Sequence, residues 1–153
     1  MPIPAFTEYG LLPAGTFSAT REEIADRYLQ NPNRALIWQK FELFLVELKA
    51  QVWQISIKTL LLDGGFTSDK ASTKDIDVVV DLSDSNDQYA YMAIGWLAAE
   101  KERLMRDYTI DIYPYHPKLG RDLRKFFEYV KLEESIQRNA PRDTLKGLLS
   151  FQL

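Results

Sequence analysis

The chain has 153 residues, enough for one domain that buries a core without covalent staples. It contains no cysteine, which excludes disulfides and thiolate metal sites, and its formal net charge of −3 gives no basic excess of the kind that marks a nucleic-acid-coating protein. No segment approaches the roughly 20 apolar residues of a membrane-spanning helix, and Met1-Pro2-Ile3-Pro4 lacks the basic start and apolar run of a signal peptide, so a cytoplasmic protein without membrane association is expected.

In chain order, Gly10 to Phe17 reads as an apolar, extended lead-in around Leu11-Leu12-Pro13-Ala14-Gly15 that packs across the domain. Thr20 with Glu23 forms a capping-box pattern, which predicts a short helix over 21–30, stopped by Asn31-Pro32-Asn33. Ile37, Phe41, Phe44, Leu48 and Val52 recur at the helical period and predict a long helix over 34–52 that packs on a sheet. The β-branched, apolar run 55–62 predicts a buried first strand ending at a glycine pair, and 67–74 is a polar turn.

A second strand is expected over 75–82. Ser85 and Gln88 suggest another capping box, before a helix to about Arg106 that shares Tyr89, Ala93, Trp96, Leu97 and Leu104 on one face. A third strand over 108–113 is expected to break at Pro114 and Pro117. Helix 121–131, a polar loop 133–144 and a short edge strand 147–153 complete the order. The sum is an α/β (α+β) domain with a small mixed sheet flanked by helices. Its parts are an N-terminal extension and short helix (1–33), a core (34–115) and a C-terminal helix, loop and edge strand (116–153).

Charge is unevenly distributed. From His116 onward there are 8 Lys or Arg against 5 acids, a basic C-terminal third that could meet RNA or an acidic partner, or serve only as solvated helix and loop faces.

The chemistry concentrates in Leu62-Asp63-Gly64-Gly65-Phe66 and Asp75-Ile76-Asp77-Val78. Residues two apart in a strand share a face, so Asp75 and Asp77 point together, and the repulsion between them is relieved by a divalent cation. Asp111 stands alone in the apolar run Thr109-Ile110-Asp111-Ile112-Tyr113. If its strand lies beside the second, it completes a three-carboxylate cluster; an acid without a partner there would be costly. Asp63 and Asp81 read as turn or strand-end acids, His116 as a loop residue, and Trp38, Trp53 and Trp96 as core or interface. An Asp-x-Asp also occurs in haloacid-dehalogenase-type phosphatases, where the acids follow the apolar strand rather than precede it, and in metal-dependent glycosyltransferases, which need a larger nucleotide-binding half.

Gly64-Gly65, Asp75-Ile76-Asp77-Val78 and Ile110-Asp111-Ile112, in that order and spacing, resemble the signature of the nucleotidyltransferase superfamily that includes DNA polymerase beta and the minimal nucleotidyltransferases. A closer resemblance is to small bacterial proteins of that superfamily, through Leu12 to Gly15, Asn31 to Arg34, Asp63 to Phe66 with Asp69 and Lys70, and the closing Lys146-Gly147. It implies a nucleotidyltransferase fold and a two-metal mechanism: Asp75, Asp77 and Asp111 as Mg²⁺ (or Mn²⁺) ligands and catalytic groups, and a nucleoside triphosphate as substrate. Gly64 and Gly65 would cradle phosphate through backbone N–H groups, with Thr67, Ser68, Lys70 and Lys74 as further nucleotide contacts. Transfer of a nucleotide monophosphate to a protein or RNA hydroxyl, within a toxin–antitoxin or phage-defence pair, is one expectation. Gly65 stands where the turn usually has serine, and there is little room for a helical domain that grips the base. Both favour the alternative, a catalytically inactive binding module acting as antitoxin or complex subunit.

Overall fold

A computed structural model describes residues 3–120 and 122–153. Arg121, which begins one expected helix, lies outside the described residues. The chain builds a five-stranded mixed sheet in the order β1-β5-β2-β3-β4.

The extended lead-in ends in β1 (Thr16–Ala19), which joins the sheet at its edge. Helix α1 (Arg21–Tyr28) begins with the expected capping box: Thr20 Oγ accepts from Glu23 N–H and Glu23 accepts from Thr20 N–H. Helix α2 (Pro32–Lys49) starts two residues earlier than expected, because Asn31 caps it and Pro32 suits the first turn, where no N–H is required. It also ends sooner. Val52–Ser56 is a 3₁₀ turn that buries Trp53 against Trp96, so the first part of the expected strand instead wraps the helix end and leaves Ile55 exposed.

Strand β2 is therefore Thr59–Asp63, and β3 is Ile76–Asp81. Helix α3 (Asp87–Tyr108) is capped by Asn86 rather than Ser85; the Ser85 hydroxyl lies 2.7 Å from that of Ser56. Strand β4 (Ile110–Tyr115) runs through Pro114, contrary to the expected break. It is the sheet's other edge and pairs only with β3, so a residue without an N–H fits on its open side.

Two further expectations change. The segment expected as a polar loop contains a short helix, α5 (Leu132–Gln137), after the short α4 (Leu123–Glu128). Strand β5 (Leu148–Gln152) is interior, parallel to β1 and antiparallel to β2. Its alternating side chains are buried on both faces, Leu149 and Phe151 on one and Leu148 on the other, which an edge position would not provide.

Alternation along the strands sorts the side chains. Leu60, Leu62, Ile76, Val78, Val80, Ile110, Ile112, Leu149 and Phe151 face the helices, where Ile37, Trp38, Phe41, Phe44, Leu45 and Leu48 of α2 and Ala93, Leu97 and Leu104 of α3 close a continuous core. On the opposite face Leu61, Val79, Tyr115 and Leu148 meet Phe127 of α4 in a second, smaller cluster. No helix is long and apolar enough to cross a membrane among the described residues.

Candidate functional site

Register brings the acids together. Asp63 of β2 is paired with Asp77 of β3, and Asp77 is paired with Asp111 of β4, so three aspartates form one row across three strands. Each has the same parity as a residue of the smaller cluster or its surroundings (Leu61, Val79, Tyr113), so the row lies on the face away from α2 and α3. Asp75, two residues before Asp77, adds a fourth carboxylate at the entrance of β3.

The electrostatics follow from that crowding. Burial, then Asp63, Asp75 and Asp111, pushes the Asp77 carboxyl up to about 7, with Lys146 opposing the shift. Asp75 is raised by burial and by Asp111, and Lys131, Lys74 and Lys70 oppose it. Asp111 is held differently. Its Oδ1 accepts from Lys101 Nζ of α3 at 2.9 Å and its Oδ2 from the Tyr113 hydroxyl at 2.7 Å, while the Lys101 ammonium lies 3.6 Å from the Tyr113 ring centre. Burial and the Asp111 carboxylate raise the Tyr113 phenol above its usual range.

Asp63 and Asp81 both end strands, as expected, but whereas Asp81 accepts from Ser83 N–H, Asp63 is withdrawn from water. The Asp63 residue is 2% exposed, neither oxygen accepts a hydrogen bond, and its counter-charge is Lys146 Nζ at 3.2 Å. Burial raises its carboxyl above the ordinary range, and Lys146 lowers it. A side chain at Gly64 would place Cβ 2.7 Å from Asp77 Oδ2, and φ there is +88°, so glycine is required for the Asp77 carboxyl to sit against the turn.

The expected phosphate contacts divide into two groups. Thr67 and Ser68 are buried, and their hydroxyls donate to Gly64 O and Gly65 O, closing the turn. Lys70 reaches across Gly65: a Cβ there would lie 3.2 Å from Lys70 Cδ and from Thr73 Oγ1. The Gly65 position is thus covered by a cationic side chain, whose ammonium lies 3.6 Å from Glu134 Oε1. Lys74 acts on Asp75 through charge.

The oxygen-only donors Asp75, Asp77 and Asp111, beside the buried Asp63 carboxylate that Lys146 neutralises, have the chemistry of a hard divalent-cation site. In this arrangement, however, no group of three or more His, Asp or Glu side chains is gathered tightly enough to hold a metal ion among the described residues. Lys101 and Tyr113 engage both oxygens of Asp111.

The family model described as "Family of unknown function (DUF6932)" matches residues 4–150. The chain belongs to this family. No curated protein and no solved structure matches it.

Arg34, Asp63 and Lys146 stood in the sequence only as positions of the closer resemblance, with no role toward the site, and Lys101 and Tyr113 were not singled out. Asp63 carried a signal, a carboxylate ending the apolar run Leu60-Leu61-Leu62, but its partner lies 83 positions on, beyond any local pattern. Four of the eight basic residues of the C-terminal third are engaged within the chain among the described residues: Lys118 pairs with Asp87, Arg124 with Asp122, Arg138 with Asp69 and Glu134, and Lys146 with Asp63. His116 is buried and accepts from Lys118 N–H as a loop organiser.

Proposed function

We propose that this protein is a minimal nucleotidyltransferase-like domain that transfers a nucleotide monophosphate from a nucleoside triphosphate to a protein or RNA hydroxyl. The observation that carries the reading is the row Asp63, Asp77, Asp111 across adjacent strands, with Asp75 beside it and the Gly64 turn against the Asp77 carboxyl. The antiparallel β2–β3 pair, the parallel β3–β4 pair and helices on one face are compatible with a nucleotidyltransferase fold.

Asp75, Asp77 and Asp111 would hold Mg²⁺ or Mn²⁺, which when bound supplies charge neutralisation of the phosphates and polarisation of the α-phosphoryl group. The side chains perform the rest. Gly64 lets the Asp77 carboxyl sit against the turn and Gly65 lies beneath the Lys70 side chain, so a triphosphate would be met at this turn by Lys70 once Glu134 is displaced. The acceptor hydroxyl forms its bond to the α-phosphorus as the bond to the bridging oxygen breaks, and pyrophosphate leaves with the electron pair. The hydroxyl proton passes to the Asp111 carboxylate, freed from Lys101.

The engagement of Asp111 by Lys101 and Tyr113, and of Lys70 by Glu134, favours a second reading: a non-catalytic binding module, an antitoxin or complex subunit. Incubating the protein, alone and with the product of a neighbouring gene, with each α-labelled nucleoside triphosphate and Mg²⁺ or Mn²⁺ separates the two. Label on protein or RNA that disappears in Asp77→Ala supports transfer. Metal-dependent nucleotide binding without label supports the module, and absence of both sinks the enzyme reading.

A further inference from the structure

Arg34 is 4% exposed, and every hydrogen bond it donates from its side chain goes to a backbone carbonyl of the loop that follows the glycine pair. Nη1 donates to Phe66 O at 2.6 Å; Nη2 reaches Gly65 O at 3.2 Å, Ser68 O at 3.0 Å and Lys70 O at 2.6 Å; Nε also donates to Lys70 O, at 3.0 Å. Its neighbours on the same helix start extend the grip. Asn31 Nδ2 donates to Ala71 O at 2.6 Å, and Asn33 both donates to Thr73 O and accepts from Thr73 N–H.

A guanidinium withdrawn from water is expensive to bury, and here it forms no ion pair among the described residues. An apolar side chain in its place would leave Phe66 O and Lys70 O without their donor, so the fork sets the conformation of the loop and not only its packing. What the fork does is turn the carbonyls of Gly65, Phe66, Ser68 and Lys70 inward together, behind the loop. Carbonyl oxygens repel phosphate. Drawing them to one buried cation keeps them from competing with an anion for Lys70, which covers Gly65 and whose ammonium meets such an anion once released from Glu134.

We propose that Arg34 is the positioning residue of a triphosphate-binding loop spanning residues 64–73: it holds the carbonyls away from the ligand without touching it. The inference rests on the nucleotidyltransferase reading and deepens it by naming the buried residue that shapes the loop on which that reading places the phosphates.

Arg34→Lys keeps the charge and loses the fork, so it separates geometry from electrostatics. Three measurements are made on wild type and variant: the Kd for α,β-methylene ATP with Mn²⁺, the Kd for Mn²⁺ alone by electron paramagnetic resonance, and amide exchange of 64–73. The variant is expected to weaken the nucleotide about tenfold, the loss of roughly one or two hydrogen bonds' worth of ordering. Amide exchange of 64–73 should rise, and Mn²⁺ affinity should stay within about twofold. Asn33→Ala, which leaves the buried charge in place, should show the same pattern at about threefold if Arg34→Lys fails to fold. Thr20→Ala, which loosens the start of α1, should leave nucleotide affinity unchanged. Loop exchange that rises at constant nucleotide affinity overturns the proposal and leaves Arg34 as a purely structural staple. If wild-type protein binds Mn²⁺ but no nucleotide, the nucleotidyltransferase reading itself falls, and this inference with it.

Discussion

The strands present two faces with opposite chemistry. Toward α2 and α3, Leu60, Leu62, Ile76, Val78, Val80, Ile110 and Ile112 alternate into a continuous apolar core. Away from those helices, the same strands carry Asp63, Asp77 and Asp111 in one row, bordered by a few apolar residues under α4. The first face lowers free energy by removing apolar surface from water. The second gathers like charges in partial burial, which opposes folding unless a cation relieves it. The contrast teaches that an arrangement costly to the fold is the one that suggests function, because nothing in packing calls for it.

Phe41→Ala tests the apolar face. Phe41 is fully buried against Trp38, Phe44 and Phe151, so its truncation should cost about 3–5 kcal/mol in denaturant unfolding, with little dependence on pH. A loss below about 1 kcal/mol would mean that the core repacks and that the contrast between the faces is overstated.

On the acidic face, Lys146→Met leaves Asp63 buried without its counter-charge and should cost about 3 kcal/mol at pH 8. Because burial raises the Asp63 carboxyl, acidification lets it protonate, and the loss should shrink toward pH 4. The double variant with Asp63→Asn should recover most of the stability. Failure to recover would show that Lys146 acts through packing of its stem rather than through charge.

Asp77→Asn should move stability in the opposite direction. A carboxyl raised from 3.8 to about 7 in the folded protein contributes stability that is full below about pH 4 and is lost as pH rises through 7. Removing the charge should therefore leave stability unchanged near pH 4 and increase it at pH 8 by on the order of 2 kcal/mol, discounted for partial exposure. Mg²⁺ should raise the wild-type Tm at pH 8 but not at pH 4, and should do so less in Asp77→Asn. A variant less stable than wild type at pH 8 would show that the row is held together by hydrogen bonding rather than strained by charge.

Much of this was legible in the chain. The capping box at Thr20 and Glu23, the 3.6-residue period of α2 and the Asp-Ile-Asp-Val strand start are local signals, each written within a few residues. The adjacency of β3 and β4 that brings Asp111 beside Asp77 was anticipated from the lone acid in an apolar strand. The helix start at Asn31-Pro32 was misplaced by two residues, because Asn31-Pro32-Asn33 read as a stop between helices rather than as the start of one. The short helix α5 was missed because six residues carry too little periodicity, and its Arg138 is fixed by contacts with Tyr9 and Asp69 far away in sequence.

The sequence by itself determined the helix stripes, the strand alternation and the presence of acids where an apolar face would not need them, since each depends on neighbours within a turn or a pleat. Only the tertiary structure decided that β5 inserts between β1 and β2, that Asp63 joins the acidic row with Lys146 beside it, and that Arg34 turns the carbonyls of the glycine loop inward. Except for the Asp63–Asp77 register pair, these pairings join residues 31 or more positions apart, and burial of the apolar β5 side chains, the Asp63–Lys146 ion pair and the Arg34 hydrogen bonds select them, which no local pattern records.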